Sequence, residues 1–143
     1  MNTAYLYMHP GSLNDQMLTS QSRYTHVLVI ALTPVSDQSR YEFCRKLVND
    51  HLHYLMCWGA FAEEWEDSAD EVICNVFESK STSIVTTSHI DETLEEVCWF
   101  AKYAALTAND EPRSLLILEI SERPEYAGAV EIVGADTGTA FDA

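Results

Sequence analysis

The clearest hydrophobic pattern in the chain links a short β-rich segment to a periodic helix across residues 83–106. Residues 83–87 carry β-branched side chains and predict a strand, and residues 88–91 form a polar elbow after it. Beyond the elbow, apolar residues recur at the i, i+3, i+4 and i+7 spacing of one buried helix face. These residues are Leu94, Val97, Cys98, Ala101, Ala104 and Ala105.

Further apolar runs predict strands at residues 26–32, at Tyr54–Trp58 and at Ser114–Ile120. The first run is almost continuously apolar, which is typical of a strand that is covered on both faces. Between the strands, apolar residues return at helical period in residues 37–51 and 60–79. Both of these segments predict helices.

The predicted order β-α-β-α-β-α-β indicates an α/β fold. We expect a three-layer α/β/α sandwich with a mostly parallel sheet of four to five strands and right-handed crossovers. Residues 4–8 and 129–133 suggest a further strand near each end. The length of 143 residues fits a single domain. We expect a loosely held N-terminal arm over residues 1–22 and a loosely held tail over residues 134–143.

The net charge of the chain excludes more classes of function than any motif does. The sequence has 23 Asp and Glu residues against 8 Lys and Arg residues, a formal net charge of −15. Such a field disfavours direct binding to nucleic acid or to an anionic membrane, and it speeds encounter with a basic partner. No apolar run approaches the ~18 residues of a membrane span, and no secretory signal pattern opens the chain. We therefore predict a cytoplasmic protein.

The cysteines and histidines lack the spacing of a disulfide framework or a metal site. The four cysteines lie in or beside apolar patterns, and we expect buried, reduced thiols. They are Cys44, Cys57, Cys74 and Cys98. His51-x-His53 is a possible metal pair, but a helix is predicted to end between the two residues and spacing identifies no third ligand. We predict no metal and no cofactor.

Polar residues gather where the predicted strands end, the edge at which parallel sheets bind ligands. His89 is either a general base beside Asp91, and thus a candidate catalytic residue, or a structural histidine without a nucleophile motif. Ser88 either helps to hold an anion at the helix start or is an N-cap whose capping box Asp91 completes. The aromatic ring of Trp58 either caps a pocket or packs over the sheet. The possible ligand pocket consists of Trp58, Thr87, Ser88, His89 and Asp91.

Two segments of the sequence carry distinctive motifs. Residues 57–59 read Cys-Trp-Gly, and residues 64–68 read Glu-Trp-Glu-Asp-Ser. Residues 86–92 read Thr-Thr-Ser-His-Ile-Asp-Glu, and residues 94–102 read Leu-Glu-Glu-Val-Cys-Trp-Phe-Ala-Lys.

Together these segments resemble a family of small, uncharacterised bacterial proteins that share a domain of unknown function. The family pattern contains Trp-Gly, Trp-Asp-Asp-Ser and Thr-Thr-Trp-His-x-Asp-Glu-x-Leu-x-Glu-Val-x-Trp-Phe-Ala-Lys. This chain departs from the pattern at Ser88, where the family has Trp, and at Glu66, where the family has Asp. The resemblance spans residues 54–104 and implies no activity. It places the motif residues at adjacent strand ends.

We predict a non-enzymatic, acidic protein that binds a basic protein surface and inhibits or neutralises it, as an immunity protein blocks a toxin in a toxin or phage-defence context. Residues 60–79 are rich in carboxylates and contain no Lys or Arg. The predicted partner-binding residues are Glu63, Glu64, Trp65, Glu66, Asp67, Asp70, Glu71, Asp91, Glu92 and Glu95. The alternative is a small enzyme or ligand-binding domain whose pocket lies at the strand ends around Trp58, Thr87, His89 and Asp91. A homodimer through the apolar parts of the helices is a third interpretation.

Overall fold

A sheet of parallel strands lies at the centre of the protein. The computed structural model describes residues 2–13, 24–76, 84–105, 112–127 and 136–137. The strands are β1 (Asn2–Met8), β2 (His26–Ala31), β3 (Tyr54–Trp58), β4 (Val85–His89), β5 (Ser114–Ile120) and the two-residue β6 (Asp136–Thr137). Across the sheet they follow the order β4-β3-β2-β5-β1-β6, and every neighbouring pair is parallel.

Helices cover both faces of this sheet. They are α1 (Asp37–Leu47), α2 (Ala62–Val76) and α3 (Leu94–Trp99), which continues as a π-helix over Phe100–Ala104, and a 3-10 helix spans Pro10–Ser12. One core joins the sheet to α1 and α2 through residues such as Phe43 and Trp65, and a second core joins it to α3 through Val97 and Ala101. The predicted three-layer α/β/α fold is therefore confirmed.

The chain reverses its direction across the sheet after β4. From β2 it steps outward to β3 and β4 by way of α1 and α2, which share one face. Helix α3 then carries it back over the opposite face to β5, which pairs with the other side of β2. The connection that leaves β2 therefore lies on one face of the sheet, and the connection that enters β5 lies on the other. The order of the strands reverses between β2 and β5, and α/β sheets open a ligand crevice at such a switch point.

Strand β1 belongs to the body of the sheet. Its residues pair with β5 over seven positions, from Asn2 beside Ser114 to Met8 beside Ile120. Residues 2–8 of the expected N-terminal arm are thus a strand, in which Thr3, Ala4, Tyr5 and Met8 are buried. Residues 14–22 of the arm, and the further strand expected at 129–133, lie outside the described residues.

The bounds of α1 and β4 differ from the prediction for reasons that their hydrogen bonds explain. Helix α1 ends at Leu47, not at residue 51, because the N–H of His51 bonds the Asn49 side chain at 2.8 Å in a competing local turn. Strand β4 begins and ends two residues later than predicted, because the backbones of Ser88 and His89 still pair with β3. Strand extent at a sheet edge thus follows backbone pairing more closely than side-chain polarity.

Three of the four cysteines are buried as expected, and Cys74 on α2 is exposed. Burial raises the pKa values of Cys44 and Cys98 to about 12 and that of Cys57 well above its usual value. These three groups are therefore thiols, not reactive thiolates, at neutral pH. None of the helices in the described parts of the chain has both the length and the apolar character needed to cross a bilayer.

His26 is a buried polar residue at the start of β2. Its Nε2 donates to the backbone oxygen of Ala105 at 2.7 Å, its Nδ1 lies 2.8 Å from the Thr25 hydroxyl, and its ring stacks on Tyr54. Burial lowers the pKa of His26, and the positive charge of Arg113 lowers it further. The folded protein therefore holds this ring in its neutral form below the pH at which an unfolded histidine takes up a proton.

We expect His26 to make the fold less stable as the pH falls below about 6.5, the ordinary pKa of histidine. In this range His26 binds a proton in the unfolded chain but not in the folded protein. The free energy of unfolding therefore falls by up to about 1.4 kcal/mol per pH unit, until the pH reaches the lowered pKa of His26 in the folded protein. Urea unfolding of the wild type and of His26→Gln across this range measures the effect. The difference between the two curves should change below the histidine pKa, whereas parallel curves would contradict the prediction.

Candidate functional site

A line of hydrogen bonds runs through His89 at the carboxyl end of the edge strand β4. The Nδ1 atom of His89 lies 2.9 Å from a carboxylate oxygen of Glu92, and Nε2 lies 2.8 Å from the hydroxyl of Thr87. Because a carboxylate only accepts, Nδ1 donates its proton to Glu92, and Nε2 is the ring atom that pairs with the Thr87 hydroxyl. The ring is buried against Phe100, with 5.3 Å between the ring centroids.

Trp58 holds the same elbow from the neighbouring strand. It ends β3 beside His89, and its indole N–H donates to the backbone oxygen of Glu92 at 2.7 Å. Glu92 is thus bound twice, through its carboxylate and through its carbonyl. Trp58 and His89 therefore fix the path of residues 90–93 before α3 begins.

The structure brings together only part of the predicted pocket. Thr87, His89 and Trp58 share the face covered by α3, whereas Ser88 is paired with Cys57 and lies on the face of α2. Asp91 is exposed in the elbow. The carboxylate beside His89 is that of Glu92, whereas the sequence analysis expected Asp91 there. The structure therefore does not bring Ser88 and Asp91 together with His89: Ser88 points to the opposite face of the strand, and Asp91 is exposed in the elbow.

The start of α3 also differs from the prediction. Thr93, not Ser88, is the N-cap, and its hydroxyl accepts from the N–H of Glu96 at 3.1 Å. Ser88 cannot cap the helix because it is still part of β4. The interpretation of Ser88 as an anion-holding residue at the helix start fails for the same reason.

A carboxylate, an imidazole and a hydroxyl joined in this order by hydrogen bonds form the arrangement that activates a hydroxyl nucleophile in enzymes. In this protein Tyr54 and His89 both pack against the ring of Phe100. The line from Thr87 to Glu92 thus joins β4 to the elbow, and Phe100 covers it. Its geometry favours a structural role for His89 in holding the elbow.

The switch point between β2 and β5 is filled by the chain itself. Glu119, near the end of β5, is fully buried, and its carboxylate accepts four hydrogen bonds. The donors are the hydroxyls of Tyr5 (2.7 Å) and Ser121 (2.6 Å) and the backbone N–H groups of Glu125 (2.9 Å) and Tyr126 (3.0 Å). The segment 121–127 is thereby folded back over the place where such sheets open a crevice.

Tyr126 connects this carboxylate to the elbow at β4. Its ring packs edge-on against Trp58, with 5.7 Å between the ring centroids. The carboxyl edge of the sheet therefore carries one continuous set of contacts from Tyr5 on β1 to His89 on β4. Glu119 was not predicted as part of it, although a single carboxylate within the apolar run Leu-Leu-Ile-Leu-Glu-Ile is a signal for a buried, paired acid.

The predicted partner-binding residues fall on two faces of the protein. The α2 carboxylates lie on one face of the sheet, and the elbow residues lie at the start of α3 on the other. Glu63, Asp67, Asp70, Glu71, Asp91, Glu92 and Glu95 are exposed, and Glu64 and Glu66 are half-buried. The acidic residues thus border the edge strand β4 from both sides and do not form one flat flank.

Trp65 does not belong to this surface. It is 1% exposed and packs edge-on against Phe43 of α1, with 6.0 Å between the ring centroids. The prediction that Trp65 contacts a partner is therefore wrong, because the helix turns this side chain toward the sheet and α1.

Two other motif residues have structural roles. Gly59 has a φ of 113°, and a Cβ atom built on it would lie 2.5 Å from the backbone oxygen of Ala31. Ser68 accepts a hydrogen bond from the guanidinium of Arg40 at 3.0 Å, which ties α2 to α1. The described parts of the chain contain no cluster of three or more His, Cys, Asp or Glu side chains that suits a metal ion.

The comparison with known families agrees with the resemblance seen in the motifs. A family model described as Domain of unknown function (DUF7684) matches residues 3–133. The chain belongs to the DUF7684 family. No curated protein and no solved structure matches it significantly. In this DUF7684 member, the matched residues include Tyr5, Trp58, His89, Glu119 and Tyr126, the side chains at the carboxyl edge of the sheet.

Proposed function

We propose that this protein is an acidic interaction protein that binds a basic protein surface and thereby inhibits or neutralises its partner. The proposal rests on helix α2. This helix of 15 residues contains no Lys or Arg, and it carries six carboxylates. They are Glu63, Glu64, Glu66, Asp67, Asp70 and Glu71.

The spacing of these carboxylates is unfavourable for the isolated helix. Glu63 and Asp67, Glu66 and Asp70, and Asp67 and Glu71 are like charges at i and i+4, and such pairs destabilise a helix. The helix dipole offsets this repulsion only in the first turn, where Glu63 and Glu64 lie. A cationic partner would relieve the remaining repulsion.

The elbow supplies a second group of carboxylates at the same edge of the sheet. Asp70 accepts a hydrogen bond from Thr86 of β4, so one side of α2 adjoins the edge strand. Asp91 and Glu95 are exposed beyond the carboxyl end of that strand. A basic partner approaching the β4 edge would meet both groups. The proposal places this encounter in the cytoplasm, in a toxin or phage-defence context.

Capture of partners from a cell lysate at low and high salt tests this proposal. The wild type should retain a basic protein at low salt and release it at high salt. The triple variant Glu63→Gln, Asp67→Asn, Glu71→Gln should bind the captured partner about 3- to 100-fold more weakly, since each exposed pair contributes about 0.2–1 kcal/mol. Because these three side chains are exposed, the fold should be unaffected.

A control variant removes two charges elsewhere on the surface. Glu42 on α1 and Asp50 after it are also exposed. The variant Glu42→Gln, Asp50→Asn should bind as the wild type does. The proposal is wrong if no basic protein is retained, if binding ignores ionic strength, or if both variants lose the same affinity.

A further inference from the structure

Helix α3 and its π-helical extension expose an aromatic pair to solvent. Trp99 and Tyr103 are 57% and 56% exposed, and their ring centroids are 5.7 Å apart. They lie four residues apart, on the side of the helix opposite to the buried Val97 and Ala101. The helix therefore presents two large rings that its own packing does not use.

The charges around this pair select the kind of partner that fits it. Glu95 and Glu96 are exposed one turn before Trp99, and Glu92 is exposed in the elbow. A second copy of the chain on this face would place its own Glu92, Glu95 and Glu96 against the same carboxylates of the first copy. The formal net charge of −15 on each copy would add to this repulsion. Charge complementarity thus disfavours self-association and favours a cationic segment.

The protein itself contains an example of the contact. The ammonium nitrogen of Lys102 lies 5.7 Å from the centroid of the Tyr103 ring, which is within the range of a cation–π interaction. Trp99 has the aromatic face that attracts cations most strongly. A guanidinium suits this place better than an ammonium, since it can stack on an indole and donate two parallel hydrogen bonds to a neighbouring carboxylate.

We infer that Trp99 is the anchor of the partner-binding surface and that it receives an arginine side chain of a basic protein segment, with Glu95 as the carboxylate that pairs with it. This inference rests on the proposed function and makes it more specific. It moves the centre of the interface from α2 to the outer face of α3. Tryptophan and arginine are enriched among the residues that dominate binding energy at interfaces.

Titration with two short peptides of equal length and charge, oligoarginine and oligolysine, tests the inference. The wild type should bind oligoarginine more tightly than oligolysine. Trp99→Ala should weaken oligoarginine binding about five-fold and remove the preference over oligolysine. Val76→Ala is the matched control, because Val76 is an apolar residue of similar exposure on α2, and it should change neither peptide's affinity.

NMR of the unmodified protein gives a second readout. Oligoarginine should shift the indole N–H signal of Trp99 more than those of Trp65, which is buried, and Trp58, which is bonded to Glu92. Salt-dependent binding of both peptides that is equal in the wild type and in Trp99→Ala would overturn the inference and leave the proposed function intact. The absence of any peptide binding would overturn both. A dimer in light scattering that Trp99→Ala dissociates would show that a second copy occupies the face, and it would overturn the inference alone.

Discussion

Replacement of Gly59 by alanine is expected to destabilise the fold by about 3–5 kcal/mol. Gly59 follows β3 with a φ of 113°, a backbone conformation that residues with a side chain rarely adopt. An added Cβ atom would lie 2.5 Å from the oxygen and 3.1 Å from the carbon of the Ala31 carbonyl. Both contacts are with backbone at the end of a central strand, so neither can be relieved by a rotamer change.

The Ala31 carbonyl is itself held in place. Its oxygen accepts a hydrogen bond from the N–H of Phe61 at 3.2 Å, just before α2 begins. A shift of this carbonyl away from a new Cβ atom would weaken that bond and displace the start of α2. Strain at Gly59 is therefore transmitted to both β2 and α2.

Denaturant unfolding followed by circular dichroism measures the loss of stability in Gly59→Ala. Gly11→Ala is the matched control, because its added Cβ atom would approach only the exposed side chain of His9, at 3.1 Å. That side chain can move, so the control should lose about 1 kcal/mol or less. Equal losses in the two variants would contradict the account of Gly59.

The sequence predicted the layers well because the central strands are apolar on both faces. Tyr54–Trp58 and Ser114–Ile120 have the predicted bounds, and every position of β2 is buried. Such runs have few alternative structures in a chain of this size. The order of strands and helices then left little choice of fold, since right-handed crossovers constrain the connections.

The edge strand was harder to predict because its side chains are half-buried and polar. Residues 86–88 of β4 are only partly covered, so hydrophobic pattern says little about where the strand ends. The sequence contained a better signal for the helix start. Thr93-x-x-Glu96 has the spacing and the residue types of a capping box, and it competes with the weaker Ser88-x-x-Asp91.

The candidate site was only partly predictable because it depends on contacts between residues that are distant in sequence. Trp58 and His89 were identified from their strand ends, but their shared partner is Glu92. Asp91 was chosen as the acidic neighbour of His89 because it lies close to it in sequence. The elbow brings Glu92 back against the ring.

Replacement of Glu119 by alanine is expected to cost about 3–5 kcal/mol, because it leaves the Tyr5 hydroxyl and two backbone N–H groups without their acceptor. The Ser121 hydroxyl keeps the carbonyl oxygen of Arg123, at 2.7 Å. Burial of the phenol raises the pKa of Tyr5 far above that of an ordinary tyrosine, and the hydrogen bond to the Glu119 carboxylate raises it further. The substitution removes the cost of burying this charge, which offsets part of the loss. The net loss of stability then depends on how many of the former donors to Glu119 stay buried without a water molecule as acceptor.

The variant should also release segment 121–127 from the carboxyl edge of the sheet. The N–H groups of Glu125 and Tyr126 both donate to Glu119, so their hydrogen exchange should lose protection in Glu119→Ala. Tyr5→Phe removes a single donor and should cost about 1 kcal/mol while the loop stays in place. Glu122→Gln, an exposed glutamate of the same segment, should change the stability by less than about 0.5 kcal/mol.

Hydrogen exchange and denaturant unfolding of these three variants separate two roles of Glu119. A large loss of stability with unchanged protection of the loop amides would place the effect in the Tyr5 contact within the sheet. Loss of protection at Glu125 and Tyr126 together with a shift in Trp58 fluorescence would instead show that the carboxylate holds the loop and, through Tyr126, the elbow. The four hydrogen bonds favour the second result, because two of them come from the loop backbone and only one comes from β1.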